Sequence, residues 1–156
     1  MNRVVVSAEE VPLPLWSGAV SRFALKALDG IKRDNWELSI LLCGDKTITA
    51  LNSRYRGKDE ATDVLSFSMG AESQDEDGTY FLPGDIVISL DTLHENARYF
   101  QISEDEELRR LLIHGILHLD GMDHKSEDSA EPMIALQEDL LNKLKDERIF
   151  PRGGEE

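Results

Sequence analysis

Apolar positions recur along this chain at periods that switch between two and about 3.6 residues, and the switches mark out its elements. Arg3 to Val6 is a short β-branched run and reads as an opening strand. After Pro12 and Pro14, the residues Trp16, Val20, Phe23, Ala27 and Ile31 fall at helical spacing and predict a core helix. Trp36 to Cys43 alternates, with Trp36, Leu38, Ile40 and Leu42 on one face of a second strand. A second helix is expected from Asp45, a good N-cap residue, through Ile48, Leu51 and Tyr55 to a stop at Gly57. Asp63 to Ser68 and Gly84 to Ser89 read as strands, and the polar, acidic stretch Met69 to Tyr80 between them reads as a loop. Helices are expected from Leu90 to Phe100 and, opened by the capping-box pair Ser103 and Glu106, through the run that ends at Leu119. A last helix, from Ser129 to Glu147, places Met133, Leu136, Leu140, Leu141 and Leu144 on one stripe.

This order of elements predicts an α+β fold, α/β-like in character: a single mixed sheet of about four strands covered by helices. The run Leu111 to Leu119 is apolar almost all round, so its helix should be the central buried one, with any polar site at its exposed C-terminal end. A length of 156 residues predicts one domain, expected over residues 1–150, with 151–156 as a disordered acidic tail. The apolar share is 40%, no run approaches the length of a membrane span, and the N-terminus lacks the apolar core of a signal peptide. These features predict a soluble, cytoplasmic protein. Cys43, the single cysteine, reads as a small buried side chain in a strand.

The chemistry concentrates in Leu111 to His124, LLIHGILHLDGMDH. His114 and His118 stand four apart on one helical face, with Cβ atoms about 6 Å apart, so their imidazoles can converge on one ion. Gly121 can take the left-handed conformation that ends the helix and turns the chain back, which lets His124 complete the cluster. Three neutral imidazoles suit a borderline divalent cation, zinc above all, and three protein ligands leave one position for water, the stoichiometry of a catalytic site. One zinc ion per chain, held by His114, His118 and His124, is the expectation. His94 lies in a different helix and carries no such reading.

The string can be set against the metzincin protease signature H-E-x-x-H-x-x-G-x-x-H. Every histidine and the turn glycine match, but Gly115 stands where the general-base glutamate belongs. The metal site is therefore supported and the peptidase chemistry is not.

A net charge of −14 argues against a broad electrostatic grip on nucleic acid. The acid groups cluster in Glu9-Glu10, Glu72 to Asp77, Ser103 to Glu107 and the Glu155-Glu156 tail, which leaves room for a local basic site. Arg54, Arg56 and Lys58 form one at the end of the second helix. Cations there are favoured by the helix dipole alone, but a guanidinium can equally be aimed at a phosphate, which its planar fork recognises through two bonds.

The paired strings LNSRYRGKDEATDVLSF and HGILHLDGMDH, with LPGDIVIS between them, resemble the YbeY family, bacterial metal-dependent endoribonucleases of ribosomal RNA maturation. The resemblance covers about Asp45 to Leu144. It departs from the family's usual pattern at Ala61, Ser68, Asp120 and Met122 and in the length of the Met69 to Phe81 stretch. It implies zinc at His114, His118 and His124, and a functional arginine at Arg56 in the YRGKD string. It also implies a single-strand-specific endoribonuclease for ribosomal RNA, acting in maturation of the 3′ end of the small-subunit RNA and in ribosome quality control. RNA is then the expected partner, with ribosomal or ribosome-associated proteins as recruiters and neither DNA nor a membrane. Asp85 in LPGDIVIS is a candidate supporting acid. Two other readings remain open at this stage: a metallohydrolase of another substrate such as a peptide, and a ribosome-associated binding protein whose metal is structural, with Asp123 as a fourth ligand.

Overall fold

The computed structural model describes residues 1–151. Its first half runs β1 (Arg3–Ala8), α1 (Ser17–Gly30), β2 (Glu37–Cys43), α2 (Asp45–Arg56) and β3 (Val64–Asp75). The second half runs β4 (Gly78–Ser89), α3 (Leu90–Phe100), α4 (Glu104–Leu119) and α5 (Pro132–Lys143). Of the acidic tail expected at 151–156, only Pro151 falls within the described residues. The strands form one mixed sheet in the order β1-β2-β4-β3, with β1 and β4 parallel to β2 and β3 antiparallel to β4. This is the α+β architecture that the alternating periods predict.

One face of the sheet carries Leu38, Ile40 and Leu42 from β2 and Ile86 and Ile88 from β4, all fully buried in the core shared with α1 and α4. The other face is smaller: Cys43, Leu65 and Val87 pack with Ile48 of α2. Burial there pushes the Cys43 thiol up to about 12, so it stays protonated and serves as a small apolar side chain.

The helix α4 is the centre of the molecule, with Leu108, Leu112, Ile113 and Leu117 wholly buried. At its start Ser103 Oγ accepts from the Glu106 amide at 3.0 Å, but the Glu106 carboxylate turns to Arg110 at 3.1 Å, so only half of the expected capping box forms. Asp105 in the same turn is completely buried and accepts from Arg109 Nε at 2.8 Å and from the backbone amides of Ile149 and Phe150 at 2.8 and 2.9 Å. Arg109 donates onward to the Lys145 carbonyl at 3.3 Å. The C-terminal segment is thus fastened to α4, and Phe150 completes the contact by meeting Trp16 edge-on with ring centroids 4.7 Å apart.

Three expectations from the sequence are corrected. Asp45 is the first residue of α2, whose cap position is Gly44. The Asp45 carboxylate is drawn to the hydroxyls of Ser89 and Thr92, at 2.7 and 2.6 Å, while Glu10 from a remote segment accepts the Thr47 amide at 2.8 Å. That bond is the main reason the Glu10 carboxyl lies below its ordinary pKa. The stretch Met69 to Tyr80 is a hairpin extension of β3 and β4 closed by the two residues Glu76 and Asp77, with a bulge between Ser68 and Ala71. Its polar residues look like a loop because the extension has no deep core to face. It is held by main-chain pairing and by Arg3, which bonds Asp75 at 2.5 Å and Asp77 at 2.8 Å and lies 3.8 Å above the Tyr80 ring. Finally, α5 starts at Pro132 rather than near Ser129, since proline suits the first helical turn and turns the residue before it away from helix.

Replacing Asp105 by Ala leaves Arg109 buried without its partner and frees two backbone amides. Denaturant unfolding should show a loss of about 3–5 kcal/mol. A loss below about 1 kcal/mol would mean that the C-terminal segment is held by apolar contact alone.

Candidate metal centre

The last two turns of α4 present His114 and His118, and the turn beyond the helix brings in His124. The chain reverses through a Schellman motif: the Gly121 amide donates to the His118 carbonyl and the Met122 amide to the Leu117 carbonyl, each at 3.0 Å. Gly121 sits at φ +95°, a conformation that costs a residue with a Cβ dearly. Met122 packs on the core and fixes the turn, and Asp120 takes Arg33 by two bonds of 2.6 and 3.2 Å, which ties the end of α4 to the loop after α1. One nitrogen from each of the three histidines lies within 4.8 Å of the other two.

Hydrogen bonds fix how two of these rings face. Gln137 Nε2 donates to Glu138 at 3.0 Å, so its Oε1 is turned to His114 Nδ1, 2.6 Å away, and makes that nitrogen the protonated one. His124 Nδ1 donates to the Ser126 carbonyl at 2.9 Å. Both Nε2 atoms are left as lone-pair donors. Burial, and then the neighbouring His114 and His124, hold His118 below the ordinary imidazole pKa, which favours the neutral form that a metal requires. His114 Nε2 and His118 Nε2 stand 3.1 Å apart, a spacing that two bonds of about 2.0–2.1 Å to one ion can span. The donor set therefore fits a borderline divalent cation.

Gly115 explains what this site lacks. A Cβ added there would meet the Ile86 side chain at 2.9 Å, because α4 lies directly against β4 at that point. The position that carries glutamate in the protease signature is closely packed here, so a larger residue would force the Ile86 side chain to move.

A cavity of about 420 Å³ beside the cluster is lined by Arg56, Ser66, His114, His118 and Asp123 among others. Arg56 is the last residue of α2, and its guanidinium donates to the Ser66 carbonyl on β3 at 2.8 Å and lies 5.7 Å from the Phe67 ring centre. Arg54 turns over Tyr55 instead, at 5.3 Å, so of the three cations in that patch Arg56 is the one brought to the histidines. Asp85 is not among the residues that line this cavity: it alternates with Ile86, whose side chain packs on α4, and pairs with Phe67 on the other face of the sheet. His94 pairs with Glu104 at 2.9 Å on the exposed surface, away from the cluster.

A model of the Endoribonuclease YbeY family matches residues 8–145. The chain belongs to that family. It is 47% identical to the Endoribonuclease YbeY of Treponema denticola, covering 96% of this chain and 97% of the relative, and 46% identical to that of Treponema pallidum, covering 90% and 89%. At 40% identity it also matches the Endoribonuclease YbeY of Aquifex aeolicus over 92% of each chain. A solution structure of a Thermotoga maritima protein has the same fold, with a TM-score of 0.62 at 28% identity over 92% of this chain and 90% of that one.

In this YbeY family member the support behind His114 could not be named from spacing alone. Gln137 is 5% exposed, and its amide orientation is set by Glu138, which in turn receives Arg110 through bonds of 3.0 and 3.1 Å. Arg110 holds the Glu138 carboxyl below its ordinary pKa. One signal was present in the sequence: Gln137 is a polar residue at a buried position of the stripe Met133, Leu140, Leu141.

Gln137→Leu preserves the size of the side chain while removing the acceptor for His114. Zinc affinity measured by competition with a chromophoric chelator should fall about 10–100-fold, with the helical content unchanged. Undiminished affinity would show that the ring is oriented by packing alone.

Proposed function

We propose that this chain is a zinc-dependent endoribonuclease of ribosomal RNA, with His114, His118 and His124 as the metal ligands and Arg56 as the catalytic residue at the phosphate. The observation that carries this reading is the single cavity lined by both Arg56 and two of the three histidines. Cleavage of a phosphodiester passes through a phosphorus centre whose oxygens gain negative charge, and fixed positive groups lower that barrier. A divalent ion at the three imidazoles supplies Lewis-acid polarisation and lowers the pKa of water toward neutrality. Arg56 contributes a guanidinium whose direction is set before substrate arrives, because Ser66 occupies one of its amino groups and leaves the other N–H groups for phosphate oxygens. Gln137 and Ser126 orient two of the imidazoles through Nδ1 and leave their Nε2 atoms turned to the cluster.

In this reading, which the family supports, the substrate is single-stranded ribosomal RNA, and the enzyme acts in the cytoplasm in maturation of the 3′ end of the small-subunit RNA and in ribosome quality control. The acidic surface favours recruitment through a ribosomal or ribosome-associated protein over a broad grip on RNA. Among the described residues no helix is long and apolar enough to cross a membrane. Peptide hydrolysis is disfavoured because Gly115, packed against Ile86, stands where the general-base carboxylate belongs. A structural metal closed by Asp123 is disfavoured because the donor atoms that lie within 4.8 Å of one another come from His114, His118 and His124 and not from Asp123.

Arg56→Ala should retain one zinc per chain and the native melting curve yet cleave a single-stranded ribosomal RNA fragment about 10²–10³-fold more slowly. Arg56→Lys should recover only part of that loss, since an ammonium cannot present a planar fork. His118→Ala should lose both the zinc, by elemental analysis, and the cleavage. Full cleavage by His118→Ala would remove the metal from the mechanism, and full cleavage by Arg56→Ala would remove the arginine.

A further inference from the structure

A second cavity, of about 490 Å³, adjoins the cluster, and His114 and Val64 line both this space and the one that holds Arg56. Its chemistry differs from that of its neighbour. Leu111, Val64 and Phe100 give it apolar walls, and Asp63 and Glu107 give it acceptors. The cation at its edge, Arg110, is already engaged by Glu106 and Glu138, so a phosphate finds carboxylates here and no free positive group. Glu107 is only 4% exposed, and Arg110 approaches it no closer than 3.7 Å, beyond hydrogen-bond length. Asn96, on the same side, donates to Asp63 at 3.1 Å and, with Arg110, also lies close enough to Glu107 to favour its carboxylate. The aromatic pair Tyr99 and Phe100, in edge contact at 5.1 Å, is 81% and 60% exposed. An exposed ring, apolar walls and a buried carboxylate that lines the cavity together suit a flat, uncharged ligand that carries N–H groups on one edge.

We propose that this cavity is a nucleobase pocket beside the scissile phosphate and that it selects guanine, with Glu107 accepting from N1–H and the 2-amino group while Phe100 stacks on the ring. The assignment rests on the reading of the chain as a ribonuclease. Of the four RNA bases, guanine alone offers two N–H donors side by side, the arrangement that the two oxygens of one carboxylate accept. Those donors lie on the edge used in base pairing, so a base can enter only when unpaired. The preference for single-stranded RNA then has a cause in the pocket itself.

The test titrates guanosine, inosine, adenosine, cytidine and uridine into the zinc-loaded full chain and follows the methyl resonances of Val64 and Leu111 by NMR. Guanosine should shift both and bind about tenfold more tightly than inosine, which lacks the 2-amino group. Glu107→Gln should erase that difference while zinc affinity stays unchanged. Equal responses to all five nucleosides, or none at these methyls, overturn the pocket, and because the guanosine to inosine comparison uses the unaltered chain, it decides even if Glu107→Gln fails to fold. A chain that binds guanosine in this way but cleaves no RNA supports the pocket and removes the ribonuclease reading. One that cleaves RNA with no guanosine response keeps the ribonuclease and overturns the pocket.

Discussion

The closest constraint in this molecule is the contact between α4 and the sheet. A helix that carries metal ligands at one end must be held rigidly, and here it is held by burying nearly its whole circumference. Close packing of this kind tolerates little change in volume, and at Gly115 the backbone of α4 comes so near to Ile86 that a methyl group would force that side chain to move. The imidazoles at positions 114 and 118 inherit their placement from that contact. The absence of a carboxylate at 115 is the other side of the same arrangement: glycine lets the helix lie close to the sheet and offers no base at that position. What remains to act on a phosphate is positive charge, supplied from α2 by Arg56 and at the cluster by whatever ion the histidines hold.

Much of this could be read in the chain because it is written in local periods. The spacing of His114 and His118, the turn at Gly121 and the apolar circumference of the helix between Leu111 and Leu119 are all short-range features, and each has the predicted place in the fold. The features that could not be read depend on partners far apart in sequence. Glu10 serves the start of α2 from 37 residues away. The orientation of His114 is settled through Gln137, Glu138 and Arg110, a chain that closes only when α5 lies on α4. Asp85 was misplaced for a similar reason, since the face to which a strand residue points is known only once its register against α4 is fixed. The hairpin was read as a loop because a polar sequence signals solvent contact, and a ribbon that overhangs the core has solvent contact while keeping its main-chain bonds.

The electrostatics follow the same division between local and remote. A net charge of −14 works against binding RNA, but many of the carboxylates are committed within the fold. Asp105 gathers the C-terminal segment, Asp120 receives Arg33, Asp75 and Asp77 receive Arg3, and Glu10 caps a helix. Arg3 and Arg33 are likewise engaged in structure. Arg56, bound to a carbonyl rather than to a carboxylate, keeps its full positive charge where the histidines are.

The overhanging hairpin also bears on how the protein behaves among its own copies. In the strand order β1-β2-β4-β3, β3 is an outer strand, and its far side offers main-chain groups that could pair with any extended chain. The features that make this stretch look irregular are the ones that discourage such pairing. A bulge between Ser68 and Ala71 breaks the line of free groups, and Glu72 and Asp75 place charge along the remainder. The acidic character of residues 72–77 thus acts as a guard on an open border of the sheet, protecting a lone molecule from stacking edge to edge with its neighbours.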